Sequence, residues 1–140
     1  MTEHETSNES NIQNDASRTS PANFSTAKRV ESFNHAGRGI WLFLKTTHNA
    51  WIHTFIFICV VVAGFVLHIS HSDWISIMLA GGLVFVAEAI NTAIEIDIDL
   101  TSPTYHPYAR DTKDVAAGAV LIASIIACVV GALVFLPYIL

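Results

Sequence analysis

The sequence predicts an all-α integral membrane protein, with an amphipathic interfacial helix followed by three transmembrane helices. Three observations point there. The chain is 52% hydrophobic and only 14% charged, which is too apolar for an ordinary soluble domain of 140 residues. Residues 52–69, 74–96 and 115–140 form apolar runs that reach or approach the roughly 20 residues a crossing helix needs. Every Lys and Arg lies outside these runs, and all fall on one side of a three-span arrangement.

Taken in order, residues 1–25 are mostly Ser, Thr, Asn, Glu and Asp, which predicts a disordered polar tail and not a cleavable signal. Residues 26–140 are then one membrane domain. Residues 27–48 mix Val30, Phe33, Ile40, Trp41, Leu42 and Phe43 with Lys28, Arg29, Arg38 and Lys45. That mixture suits a helix lying in the interface; the alternative is a polar extension of the first span. Arg18 and those four basic residues precede the first span, and Arg110 and Lys113 lie between the second and third. The turn Ser70-His-Ser-Asp73 has none, so the basic side is cytoplasmic by the positive-inside rule. The third span carries Ala119, Ala123, Ala127 and Gly131 at i+4 spacing, a row expected to form a close-packing seam. Trp41, Trp51, Trp74, Tyr105, Tyr108 and Tyr138 fall near span ends, as interface anchors do. Cys59 and Cys128 lie in apolar runs without disulfide or metal spacing and read as packing residues.

The second span holds the chemistry. Glu88, Asn91, Glu95 and Asp99 recur at i, i+3, i+7 and i+11, which places all four on one helix face. A charged side chain at bilayer depth costs at least about 2.5 kcal/mol, so it ordinarily has a functional reason to be there. Mg²⁺ favours one or two carboxylates together with substrate phosphates and water, and Glu88 and Glu95 are placed to serve it. Glu88, the deeper acid, is the candidate general base toward a lipid hydroxyl, and Asn91 can orient either carboxylate. Lys113-Asp114, expected to open the third span, supplies a cation for phosphate, and free backbone N–H groups at a helix start would add to it. The parts suggest metal-dependent phosphate chemistry on a membrane substrate. The alternatives are an inter-helix hydrogen-bond network or an ion pathway. Three helices can shield little of a polar stripe from lipid, which argues for an oligomer.

Glu88-Ala-Ile-Asn91-Thr-Ala-Ile-Glu95, Asp99, His106 and Lys113-Asp114-Val-Ala-Ala-Gly-Ala-Val-Leu121 resemble the prokaryotic diacylglycerol kinase family, from about residue 33 to residue 140. The resemblance implies a homotrimeric lipid kinase of the bacterial inner membrane, with active sites between subunits on the cytoplasmic side, using ATP and Mg²⁺. It implies that Glu88 is the base, that Glu95 binds metal, and that Asn91, Asp99, Lys113 and Asp114 belong to the active site or nucleotide pocket. His106 matches a position near the nucleotide. The Val-Ala-Ala-Gly-Ala-Val-Leu segment and Leu136-Pro137 are closer to the undecaprenol kinase branch, so undecaprenol is the first expected substrate and diacylglycerol the second.

One departure stands out. The family pattern Glu-x-Asn-x-x-x-His, aligned on Asn49 and His53, puts Thr47 where a metal-binding Glu is expected. A hydroxyl is a neutral, weaker Mg²⁺ ligand than a carboxylate. Water could substitute, Asp97 or Glu31 could be recruited, or the site could be impaired. His48 and His53 suit positioning or nucleotide contact better than Mg²⁺, which disfavours nitrogen. His35 and Arg38 read as a solvated face, and His68 and His71 as turn residues on the opposite side. The rival to a kinase is a catalytically impaired nucleotide-sensing or assembly protein of the same fold. An ion-conducting oligomer would leave Lys113-Asp114 without a purpose.

Overall fold

Residues 26–140 are described by the structure, a computed structural model, and the tail expected over residues 1–25 lies outside them. Four helices follow one another: α1 (Thr26–Thr46), α2 (His48–Val66), α3 (His71–Thr101) and α4 (Pro107–Ile139). Three stretches are long and apolar enough to cross a membrane, namely Asn49–Val66 within α2, and α3 and α4 over their full lengths.

The chain divides into two units at Gly37, within α1. In the first, Glu31 and His35 face each other at 3.8 Å one helical turn apart, and Val30 and Phe33 are exposed. The second runs Arg38–Leu140 and holds the rest of the fold. There the Lys45 ammonium stands 4.7 Å over the Trp41 ring, a pairing that i,i+4 spacing brings about.

Thr47 separates α1 from α2. Its backbone is extended (φ −101°, ψ 111°), so the two helices are separate elements. At the other end of α2 the chain turns through His68, which takes a left-handed φ of 52°. The His68 N–H donates to the Phe65 carbonyl and the Ile69 N–H to the Gly64 carbonyl, the two bonds of a Schellman turn. Ile69 is buried there beside Trp74 and Gly64, where a β-carbon would strike both side chains.

Residues 71–73, expected in a turn, instead form the first turn of α3. Ser70 caps that turn, and its hydroxyl accepts from the Asp73 N–H while the Asp73 carboxylate accepts from Ser70 N–H. The Tyr138 hydroxyl donates to the same carboxylate at 2.7 Å and accepts from Ser70 N–H at 3.0 Å. The C-terminal end of α4 is thereby tied to the α2–α3 turn, over a cluster of Ile69, Ile77 and Val134.

α3 and α4 pair along their lengths. The buried face of α4 is Ala116, Val120, Ala123 and Val134. Of the small-residue row expected as the seam, only Ala123 is fully buried, and Ala119 is exposed. A strict i+4 row drifts about 40° per step on a helix of 3.6 residues per turn, so the seam alternates i+4 and i+3. A second expectation also changes. α4 begins at Pro107 with His106 as its cap, so Lys113 and Asp114 lie inside the helix and offer no free helix-start N–H groups.

α2 approaches α3 through Gly81, where an added β-carbon would collide with the Phe57 ring. That ring is itself packed edge-on against Phe85 at 5.6 Å, so it has little freedom to give way. Gly81→Ala is therefore expected to destabilise the protein by about 1–3 kcal/mol, read as a lower midpoint of thermal unfolding in detergent. An unchanged midpoint would show that the helices separate at little cost.

Candidate active site

The inner face of α3 collects the polar residues at one end of the fold. Glu88 is 1% exposed, Asn91 6% and Thr92 8%, and they are the buried polar side chains among the described residues. Glu88 is buried within the single chain, whereas Glu95 is half-buried and Asp99 is exposed. Ala50 on α2 and Ala116 on α4 are buried as well.

Neither carboxylate oxygen of Glu88 has a hydrogen-bond partner. Asn49 on α2 approaches the carboxylate at the margin of hydrogen-bond geometry, and the charges of His53 on α2 and Glu95 on α3 also act on it. A buried ion left unpaired costs on the order of several kcal/mol, so this group is unsatisfied until something meets it.

Asn91 is oriented by Glu95. Its amide nitrogen donates to Glu95 Oε1 at 3.0 Å. A carboxylate only accepts, so Asn91 must turn its NH₂ toward Glu95 and its Oδ1 the other way. That Oδ1 is buried and has no partner. The orphaned acceptors therefore belong to Glu88 and Asn91, at i and i+3, and call for a cation or a hydrogen-bond donor.

Thr47 joins this group from α2. Its hydroxyl lies 2.9 Å from that of Thr92, and the Thr92 hydroxyl donates to the Glu88 carbonyl at 2.9 Å. The position where the sequence lacks a carboxylate thus abuts the turn that carries Glu88. Asp97 is exposed, away from this face. The side chain of His48 lies outside the described residues, and Glu31 belongs to the other unit.

The remaining expected site residues form a second tier nearer the surface. Asp99 is 11 residues past Glu88, about 16 Å along the helix at 1.5 Å per residue. It pairs with Lys113 at 2.5 Å, linking α3 to α4. Asp114 is 3.9 Å from Arg110, which also binds Asp111 at 2.9 Å. His106 accepts the Tyr108 N–H through Nδ1 at 3.3 Å, a helix cap for α4. Along the stripe Asn91 and Glu95 are bonded to each other, while Asp99 is bonded to Lys113. Among the described residues no three His, Cys, Asp or Glu side chains gather closely enough to form a metal cage.

An apolar groove of about 790 Å³ runs between α3 and α4 and reaches both Asn91 and Asp111. Leu83, Val86, Ile90, Val115 and Ile122 line much of it. It connects the buried tier to the surface tier along a path open to the surroundings of the helices.

Comparison with known proteins decides the family. The model of the family described as prokaryotic diacylglycerol kinase matches residues 34–135. The chain belongs to the prokaryotic diacylglycerol kinase family. Among relatives, the undecaprenol kinase of Bacillus subtilis is 43% identical over 107 residues, covering 76% of this chain and 87% of that protein. A diacylglycerol kinase of Synechocystis is 40% identical over 107 residues, covering 76% of this chain and 61% of that protein. A diacylglycerol kinase of Helicobacter pylori is 27% identical over 112 residues, covering 74% of this chain and 87% of that protein. The family match spans α2, α3 and most of α4, and so includes every residue of the buried tier.

Thr92 and Arg110 are the site residues that sequence reasoning passed over. Thr92 sits at i+4 from Glu88, on the same face, and a hydroxyl one turn from a buried acid was the available signal. Arg110 was counted only for orientation, although Asp111 and Asp114 at i+1 and i+4 foreshadow its contacts.

Proposed function

We propose that this chain is an ATP-dependent lipid kinase that transfers the γ-phosphate to the hydroxyl of a membrane lipid alcohol. The observation that carries the reading is the buried, unpartnered Glu88 carboxylate beside an Asn91–Glu95 pair on a membrane-spanning helix. Membership of a kinase family supplies the reaction class.

Glu88 takes the proton of the lipid hydroxyl as that oxygen bonds to the γ-phosphorus. The bond from phosphorus to the β–γ bridging oxygen breaks, and ADP leaves. Asn91 holds the acceptor geometry between the two acids. Glu95 would hold Mg²⁺, which supplies neutralising charge to the phosphate oxygens, with water in the place beside Thr47 where a second carboxylate is missing. Mg²⁺ suits such a site, because its remaining ligands are phosphate oxygens and water. Lys113 stabilises phosphate charge, for which it exchanges Asp99 for the nucleotide. Asp99, Asp114 and His106 line the nucleotide side. Positioning and electrostatics do most of the work, as phosphoryl transfer requires.

Undecaprenol is the first substrate proposed and diacylglycerol the second, on the kinship with the Bacillus subtilis enzyme and the form of the α4 segment. The apolar groove beside Asn91 suits a lipid chain entering from the side. The bacterial inner membrane is the proposed location, with α1 in the interface and the site cytoplasmic. The basic residues Lys45, Arg110 and Lys113 stand at the site end of the spans. A homotrimer is proposed from family kinship.

The test is Mg²⁺-dependent transfer of labelled γ-phosphate from ATP, with each lipid offered separately in mixed micelles. Labelled lipid product is expected, undecaprenol being the better acceptor. Folded protein that labels neither lipid would favour the impaired reading, in which Thr47 leaves the metal one carboxylate short.

A further inference from the structure

We propose that Thr92 is a positioning residue for Glu88, acting with Thr47 as a hydroxyl latch between α2 and α3; the proposal rests on the kinase reading above. Among the described residues Thr54, Ser76, Thr92, Thr101 and Thr112 donate to the carbonyl four residues earlier in their own helix. Such a back-bond satisfies a hydroxyl locally and requires nothing from another helix. Thr92 differs from the other four on two counts. It is buried, and it takes a second bond from a side chain 45 residues away, that of Thr47.

The direction of the chain follows from proton count. A hydroxyl has one proton to give. That of Thr92 goes to the Glu88 carbonyl, so Thr47 donates to Thr92, and the order is Thr47 to Thr92 to Glu88 C=O. Thr47 occupies the N-cap of α2, where a Thr side chain ordinarily accepts from the second or third N–H of the helix. Here it makes no such bond. Its hydroxyl spans the gap to α3 instead, at the extended residue between α1 and α2.

The latch ends on the peptide of Glu88. The Glu88 carboxylate has only the marginal approach of Asn49 to hold it, so its place depends on the turn from which it projects. Two groups bracket that turn: the Thr92 hydroxyl from within α3 and, through it, the start of α2. Asn49 and His53, the α2 neighbours of the carboxylate, follow Thr47 within two turns and are placed by the same contact. Removing either hydroxyl lets α2 and the Glu88 turn shift relative to one another. Catalysis that depends on in-line geometry is sensitive to such a shift, while nucleotide binding at the Asp99–Lys113 tier is not.

The test uses the full chain in mixed micelles, with ATP and undecaprenol. Thr92→Val, Thr47→Val, the double variant and Thr92→Ser are compared with wild type. Each valine variant is expected to lower kcat roughly tenfold, with the KM for ATP changed less than about twofold. The double variant is expected to lose no more than the larger single loss, because both remove one latch. Thr92→Ser keeps the proton and the oxygen and is expected to restore most of the rate. Losses that multiply, a Thr92→Val protein with wild-type kcat, or equal losses in Thr92→Val and Thr92→Ser would each overturn the latch. If Thr92→Val does not fold, Thr47→Val against Thr47→Ser carries the same comparison from the partly exposed end. A folded wild type that phosphorylates no lipid would instead overturn the kinase reading, and the positioning role with it.

Discussion

Glu88→Gln is expected to reduce phosphoryl transfer by about 10²–10⁴-fold while leaving the protein at least as resistant to heat as the wild type. The two halves of this expectation come from one observation, that both carboxylate oxygens are buried without partners. A group in that state contributes little to folding as an ion, because Asn49 and His53 nearby offset only part of its desolvation. The amide is nearly the same size and removes the charge, so packing against α2 and α4 is retained. What it cannot do is accept the hydroxyl proton. Activity and the unfolding midpoint, measured on the same detergent preparation, separate the outcomes. Loss of activity with a steady or raised midpoint fits a site residue. Loss of both would make Glu88 a structural group, and full activity would remove it from the chemistry altogether.

Glu95→Gln carries the second large effect, through two routes that the structure joins. The carboxylate is the proposed Mg²⁺ ligand, and it also fixes which way Asn91 points. A glutamine amide can donate as well as accept, so Asn91 would no longer be obliged to present Oδ1 toward the Glu88 side. The expected result is a fall in kcat of about 10²-fold and a half-saturating Mg²⁺ concentration raised about tenfold or more. Glu95→Asp retains the charge with a shorter reach, and should keep the Asn91 orientation while weakening the metal response. A Mg²⁺ titration of the rate for both variants distinguishes the routes. An unchanged Mg²⁺ response in Glu95→Gln would assign the metal to other groups.

These two variants lie on the part of the site that is legible in the chain. The spacing of Glu88, Asn91 and Glu95 is a property of one helix, and a regular helix places i, i+3 and i+7 on one face whatever surrounds it. The three spans are legible for a similar reason, since length and hydropathy along one segment determine whether it can cross. Their ends are less so. α4 starts at Pro107, eight residues before its apolar run, because Pro107 at the first helical position and His106 as cap begin a helix that polar residues can continue. Lys113 pairs with Asp99, a partner on the facing helix that spacing along one helix does not reveal.

Thr47 shows the limit most clearly. In the chain alone it is a missing carboxylate with three possible consequences. In the fold its hydroxyl meets Thr92, a contact no local pattern encodes. An all-helical membrane protein, the polar face of α3 and kinship with a lipid kinase family all follow from the order of residues. Helix packing was needed to show that one chain buries Glu88, that Asn49 and His53 of α2 come near its carboxylate, and that Thr47 meets Thr92. Periodicity is local to a helix, whereas burial and cross-helix bonding depend on how closely and at what rotation two helices meet. Here the approach of α2 to α3 is governed by a small residue at the contact, Gly81 under Phe57.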